Sequence, residues 1–167
     1  MFLYYFYELV TAPGVVVHEL AHALFCLFAG VRVHKIKLFG FGQTAGYVVH
    51  DEPQKFYQGF LISIGPLLIN SLLALFCFSQ FVLPYNRWQP FVFLWLGIAI
   101  GLHAIPSDQD AKALFNLANH RVKRNPLIIL AYPLILILYL LYLLKHWHID
   151  FLFLAGLYWL GNMYLKQ

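Results

Sequence analysis

The sequence predicts an all-α membrane protein that crosses the bilayer about five times, with a small β-hairpin between the first two spans. Composition is the first reason: 62% of the 167 residues are hydrophobic and 11% are charged, whereas soluble domains carry about 25% charged residues. The second reason is that long apolar stretches alternate with short polar segments. The length suits one domain, so residues 1–167 are predicted to form a single membrane-embedded unit.

A helix-bending signal, Gly65-Pro66, lies in the middle of the second predicted span. Proline cannot donate a backbone hydrogen bond, so Pro66 should free the carbonyl of Ile62 and bend the helix. Asn70 follows one turn later and serves either helix packing or a polar site. The predicted spans are 2–30, 54–83, 90–105, 126–144 and 149–165.

Residues 31–52 have a different pattern, in which β-branched and basic side chains roughly alternate. Residues 40–46 are rich in glycine and predict a turn, and residues 47–49 predict a return strand. We therefore predict a β-hairpin at the membrane surface, with an irregular loop as the alternative.

The third span is short and ends at a helix break. Pro106 follows it, Ser107 can cap a new helix over 108–119, and the acidic Asp108 and Asp110 fall in the first turn of that helix. Broken backbone at membrane depth is tolerated only where protein or a wet cavity satisfies its polar groups. The break is therefore a natural place for a buried polar site.

Basic residues are distributed unevenly between the two predicted sides of the membrane. Arg87 and Lys145 lie on one side. The positive-inside rule makes the other side cytoplasmic, which places the N-terminus outside and the C-terminus in the cytoplasm. The net charge of +4 is thus explained by basic residues that orient the protein in the membrane, and it does not indicate nucleic-acid binding. The predicted cytoplasmic side carries Arg32, Lys35, Lys37, Lys55, Lys112, Arg121, Lys123, Arg124 and Lys166.

The chemistry is concentrated in an H-E-x-x-H motif inside the first span. His18 and His22 are four residues apart, so they lie on one face of a helix and can both reach one metal ion. Glu19 lies one step around the helix, where it can take a proton from a metal-activated water. Charged groups in a span cost about 2.5–3.5 kcal/mol each, so a chance occurrence on a core helix is the weaker interpretation.

Catalytic zinc takes three protein ligands and leaves one position open, so a third ligand must come from elsewhere in the chain. Asp108 and Asp110 are favoured because they follow a helix break at a depth similar to that of His22, although either could simply cap the helix. The candidates are Asp110, Asp108, His103, Asp51 and Glu52.

Three segments resemble the site-2 protease family of intramembrane zinc metalloproteases, of which this chain resembles a minimal member. The resemblance covers roughly residues 8–120 and leaves 126–165 as accessory spans. The three segments are His18-Glu19-Leu20-Ala21-His22, Gly65-Pro66-Leu67-Leu68-Ile69-Asn70 and Pro106-Ser107-Asp108-Gln109-Asp110.

The resemblance implies one Zn²⁺ per chain, with His18 and His22 as ligands and Glu19 as the general base. It implies an aspartate of the third segment as the third ligand, and the spacing Pro-Ser-x-x-Asp favours Asp110. It also implies that Asn70 helps to orient the substrate or the oxyanion, although Asn70 lies one residue further along than in the family's usual G-P-x-x-N. His103 occupies the position of an asparagine in the family's third motif.

The function implied by the resemblance is hydrolysis of a peptide bond in a membrane-associated protein or peptide. The β-element would hold an unwound substrate extended. A catalytically inactive relative that keeps the fold as a binding or regulatory protein is the main alternative. A zinc hydrolase acting on a non-peptide is also open. A transporter would need polar groups throughout its spans, and the last two have almost none.

Overall fold

The computed structural model describes residues 2–41, 44–81 and 87–163, so the predicted turn at 40–46 and the end of the last predicted span lie partly outside the described residues. Short 3₁₀ helices occupy Pro126–Ala131 and Lys145–Trp147. The helices and strands in chain order are α1 (Phe2–Val10), α2 (Ala12–Phe28), β1 (Val33–Lys37), β2 (Tyr47–His50), α3 (Phe56–Phe81), α4 (Gln89–Leu102), α5 (Asp108–Val122), α6 (Tyr132–Leu144) and α7 (Ile149–Met163).

Helix α3 is the central element against which the others pack. It has 26 residues with Pro66 inside it, a length of about 39 Å that is sufficient to cross a bilayer. Helix α2 runs antiparallel along α3, because the carbonyl of Gly14 lies beside Asn70 while His22 lies beside Ile62. The residues of the H-E-x-x-H motif are therefore held against the first half of α3.

Helices α4 and α5 follow α3 in the opposite direction as two consecutive short helices. Gly97 of α4 lies against Phe78 near the end of α3. Gly59 near the start of α3 lies against Leu117 of α5. The break between the two helices, at residues 103–107, agrees with the predicted interruption and leaves helix ends inside the fold.

Helices α6 and α7 form a second broken pair beside the first. Leu154 of α7 lies against Gly101 of α4. The ring of Tyr139 in α6 stacks on Phe115 of α5 with a centroid distance of 5.0 Å. Helix α7 thus packs beside α4, and α6 packs beside α5. Helices α6 and α7 therefore lie end to end, as α4 and α5 do.

The two strands form the predicted β-hairpin. They pair antiparallel, with Lys37 opposite Tyr47 and Val33 opposite His50, and the register shifts once between Val33 and Lys35. Gly30 has a φ of +68°, a left-handed conformation that favours glycine and turns the chain out of α2. The hairpin runs beside α2, which brings β2 next to the histidine motif.

The prediction of five separate spanning helices is not confirmed. Among the described residues, two helical stretches are long and apolar enough to cross a membrane, Phe56–Phe81 and Pro126–Leu144. The outer surface is strongly apolar: Leu130 is 81% exposed and Phe28 is 71% exposed. Soluble monomers rarely expose large apolar surfaces. The mostly helical fold and the small sheet agree with the prediction.

Candidate metal centre

Three side chains from two helices converge on one point. Oδ2 of Asp110 lies 3.3 Å from Nε2 of His22 and 3.7 Å from Nε2 of His18. All three ligand atoms lie within 4.8 Å of one another, and both histidines are buried. Helix α2 supplies the two imidazoles on one face, and the first turn of α5 brings the carboxylate to them.

The two distances from Asp110 to the histidines are compatible with zinc. Zinc–ligand bonds of about 2.0–2.2 Å in tetrahedral geometry place ligand atoms about 3.3–3.6 Å apart. The distances from Asp110 to the two histidines agree with that range to about 0.1 Å. Two imidazoles and one carboxylate also leave the fourth position that a catalytic zinc needs for water or substrate.

A capping box fixes the carboxylate of Asp110. Oδ2 of Asp110 accepts hydrogen bonds from the backbone N–H of Ser107 at 3.1 Å and from its hydroxyl at 2.5 Å. The backbone N–H of Asp110 donates to Oγ of Ser107 at 3.2 Å. The N-terminal end of α5 further favours a negative charge there. The residues that were predicted to cap the helix therefore also aim a carboxylate at the histidines.

The other candidate ligands do not join the histidine pair, although Asp108 borders the cleft. Asp108 points outward and pairs with Lys112 at 2.7 Å. Asp51 pairs with His34 at 2.7 Å in an exposed position. The ring of His103 lies against Gly14, and Glu52 is exposed. Of the five predicted alternatives, the structure brings Asp110 to the histidine pair.

Backbone carbonyls orient both histidines. Nδ1 of His18 lies 2.7 Å from the carbonyl oxygen of His103, and Nδ1 of His22 lies 3.1 Å from that of Ile62. A carbonyl can only accept, so each Nδ1 carries the proton, which leaves the lone pair of each Nε2 available to a metal ion at the point shared with Asp110. Such contacts to the remote nitrogen are typical of metal-binding histidines.

The carbonyl that holds His22 is free because of Pro66. In a regular helix the carbonyl of Ile62 would accept the N–H of residue 66, and proline has none. The sequence predicted this free carbonyl but not its partner. The structure places the ring of His22, 40 residues earlier in the chain, at hydrogen-bond distance from it.

Replacing Pro66 by alanine is therefore expected to weaken zinc binding by about 10–100-fold, the usual cost of losing such a supporting contact. The new N–H at position 66 competes with His22 for the carbonyl of Ile62. Competition with a chelating dye measures the affinity. Pro133→Ala is the control, because Pro133 lies in the first turn of α6, where a missing N–H costs little. Equal affinities in both variants would contradict this role.

Asn70 is fully buried, and its amide nitrogen points to three backbone carbonyls. Nδ2, which carries two hydrogens, lies within hydrogen-bond distance of the carbonyls of Gly14 at 3.3 Å, Ile100 at 3.2 Å and His103 at 3.2 Å. Two of these carbonyls lie at the broken end of α4, so Asn70 satisfies polar groups that the break exposes. The carbonyl of His103 is also the partner of His18, which makes Asn70 a support for that ligand. Its predicted catalytic role stays a prediction.

Glu19 lies in the same cleft as the metal-binding side chains. The cleft has a volume of about 300 Å³, and Glu19 is 9% exposed in it. Gly46, just before β2, lies against the side chain of Glu19, where a β-carbon would come within 2.6 Å of Cγ. The sequence did not single out Gly46. The other residues around the cleft are Thr44, Tyr47, Val48, His50, Ser107, Asp108 and Gln109.

Comparison with known proteins gives one match. The model of the family described as Peptidase M50B-like matches residues 2–107, which is more than half of the chain and includes the H-E-x-x-H motif. No curated protein and no solved structure matches. The matched stretch ends just before Asp110. The chain therefore belongs to the Peptidase M50B-like family and is a relative of the site-2 proteases.

Proposed function

We propose that this protein is an intramembrane zinc metalloendopeptidase that hydrolyses a peptide bond of a membrane-associated substrate. The observation that carries the proposal is the convergence of His18, His22 and Asp110 beside a buried Glu19. Two imidazoles, one carboxylate and a neighbouring glutamate are the set that metal-assisted hydrolysis requires. Family membership supports the same reaction class.

Each residue of the cleft has a different role in the proposed reaction. Zinc, when bound, acidifies water and polarises the peptide carbonyl. Glu19 accepts the proton of the attacking water and returns it to the leaving amine. His18 and His22, oriented by backbone carbonyls, and Asp110, held by Ser107, would supply the three donor atoms.

The substrate is expected to bind in extended form. Peptide carbonyls in a helix are hydrogen-bonded and shielded, so a membrane helix must unwind before water can attack it. Strand β2 lines the cleft through Tyr47, Val48 and His50. In the part of the chain that the structure describes, the sheet has two strands, so a further strand could add at an edge and hold an unwound segment beside Glu19.

We also propose that the cleft opens toward the cytoplasm. The hairpin beside it carries Arg32, Lys35 and Lys37, and the outer end of α5 carries Arg121. Lysine and arginine near span ends concentrate on the cytoplasmic side. A bond near that side of the membrane is therefore the expected target.

The proposal is tested by removing and restoring the metal. The purified protein in detergent is expected to contain about one zinc per chain by mass spectrometry and to cleave a synthetic membrane-span peptide. Dialysis against a chelator should abolish cleavage, and added zinc should restore it. Stoichiometric zinc without cleavage of any peptide would favour an inactive relative, and no zinc after reloading would overturn the proposal.

A further inference from the structure

A second and larger cavity adjoins the metal cleft. Its volume is about 600 Å³, and it lies between the first half of α3 and the whole length of α5. The two cavities share His50 and Asp110 in their walls. The larger cavity is therefore a groove that leads away from the metal centre along α5.

The walls of this groove change in character along its length. Near the metal they are mixed, with Ile62 and Leu114 beside the polar side chains of Ser63 and His50. The far end is basic, with Arg121 half-buried and Arg124 exposed. Among the described residues, no carboxylate lies within ion-pair distance of either guanidinium, although Glu52 also lines the groove. An anionic group entering the groove would therefore find two unpaired arginines.

The length of α5 sets where that group must be. Arg121 is eleven residues from Asp110 on the same helix, about 16 Å at 1.5 Å per residue. An extended peptide advances about 3.3 Å per residue. A peptide held at the metal would thus bring a side chain about five residues from the scissile bond to Arg121.

We propose that this groove binds the substrate on one side of the scissile bond and selects an acidic residue about five positions away. The proposal rests on the proposed protease function. A lipid headgroup explains the features less well, because the groove is continuous with the metal cleft and Arg121 is half-buried in it. Charge-assisted, bidentate pairing with a carboxylate is the interaction for which arginine is suited.

Binding can be measured without cleavage in a zinc-loaded Glu19→Gln background. Fluorescence anisotropy would compare labelled peptides that carry aspartate or asparagine five residues before or after the central bond. In one of the two positions we expect the aspartate peptide to bind about 10-fold more tightly. Arg121→Gln should remove this preference, and Arg121→Glu should transfer it to a lysine peptide.

Lys123→Gln is the matched control, because Lys123 is exposed, lies two residues away and does not line the groove. It should keep the preference. Equal binding of the aspartate and asparagine peptides at both positions would overturn the inference, as would equal effects of the two variants. If Arg121→Gln instead weakened only the binding of anionic lipid in nanodiscs, and the peptides showed no preference, the arginines would be assigned to lipid. If the unchanged protein prefers the aspartate peptide but cleaves no peptide, the result would count against the protease proposal and not against the groove.

Discussion

Replacing Glu19 with glutamine is expected to leave zinc bound and to reduce peptide hydrolysis by about 10²–10⁴-fold. The amide has nearly the same size as the carboxylate, so the contact with Gly46 can persist. It has no basic oxygen to take the proton of the attacking water. Zinc content by mass spectrometry and the turnover of a membrane-span peptide measure the two effects separately.

Glu8→Gln is the control for the general cost of changing a buried glutamate. Glu8 is 5% exposed and does not line the cleft. It lies in an apolar helix, as Glu19 does. We expect this variant to keep both zinc and most of the activity. Full hydrolysis by the Glu19→Gln protein would exclude Glu19 as the general base.

The second large effect is expected at the third ligand. Asp110→Asn should lower zinc affinity by more than about 100-fold, because a neutral amide is a poor zinc ligand and loss of a supporting contact alone costs 10–100-fold. Asparagine can still accept the hydrogen bonds from Ser107, so the start of α5 should persist. Equilibrium dialysis with zinc at graded concentrations measures the change.

Asp108 offers a matched comparison two residues away. It is exposed and bonded to Lys112, so Asp108→Asn should bind zinc as the unchanged protein does. If Asp108→Asn lost zinc while Asp110→Asn kept it, the assignment of the third ligand would be reversed. If both kept it, the ligand would have to come from outside the first turn of α5.

Local sequence signals predicted much of this arrangement. The spacing of His18 and His22 places them on one helix face whatever the surrounding fold, and the turn signals around Gly40 predicted the hairpin. The break before α5 was predictable because Pro106 disfavours a continuing helix and Ser107 is a typical N-cap residue. Each of these features depends on residues within one or two turns of one another.

What could not be predicted depends on distant parts of the chain. Pro66 indicated a free carbonyl at Ile62, but only the packing of α2 on α3 identifies His22 as its partner. The direction of the amide of Asn70 likewise depends on the broken end of α4. Apolar stretches indicate lipid contact but not which helices lie end to end, so the number of membrane passages does not follow from counting them.

The end-to-end pairs have a consequence for the two ends of the chain. If α4 with α5 makes one passage through the membrane, and α6 with α7 makes another, then α1 with α2 and the unbroken α3 bring the total to an even number. An even number of passages returns a chain to the side from which it started. Residue 163 would then share a compartment with residue 2, opposite the basic hairpin, whereas an odd count sends it to the hairpin's side.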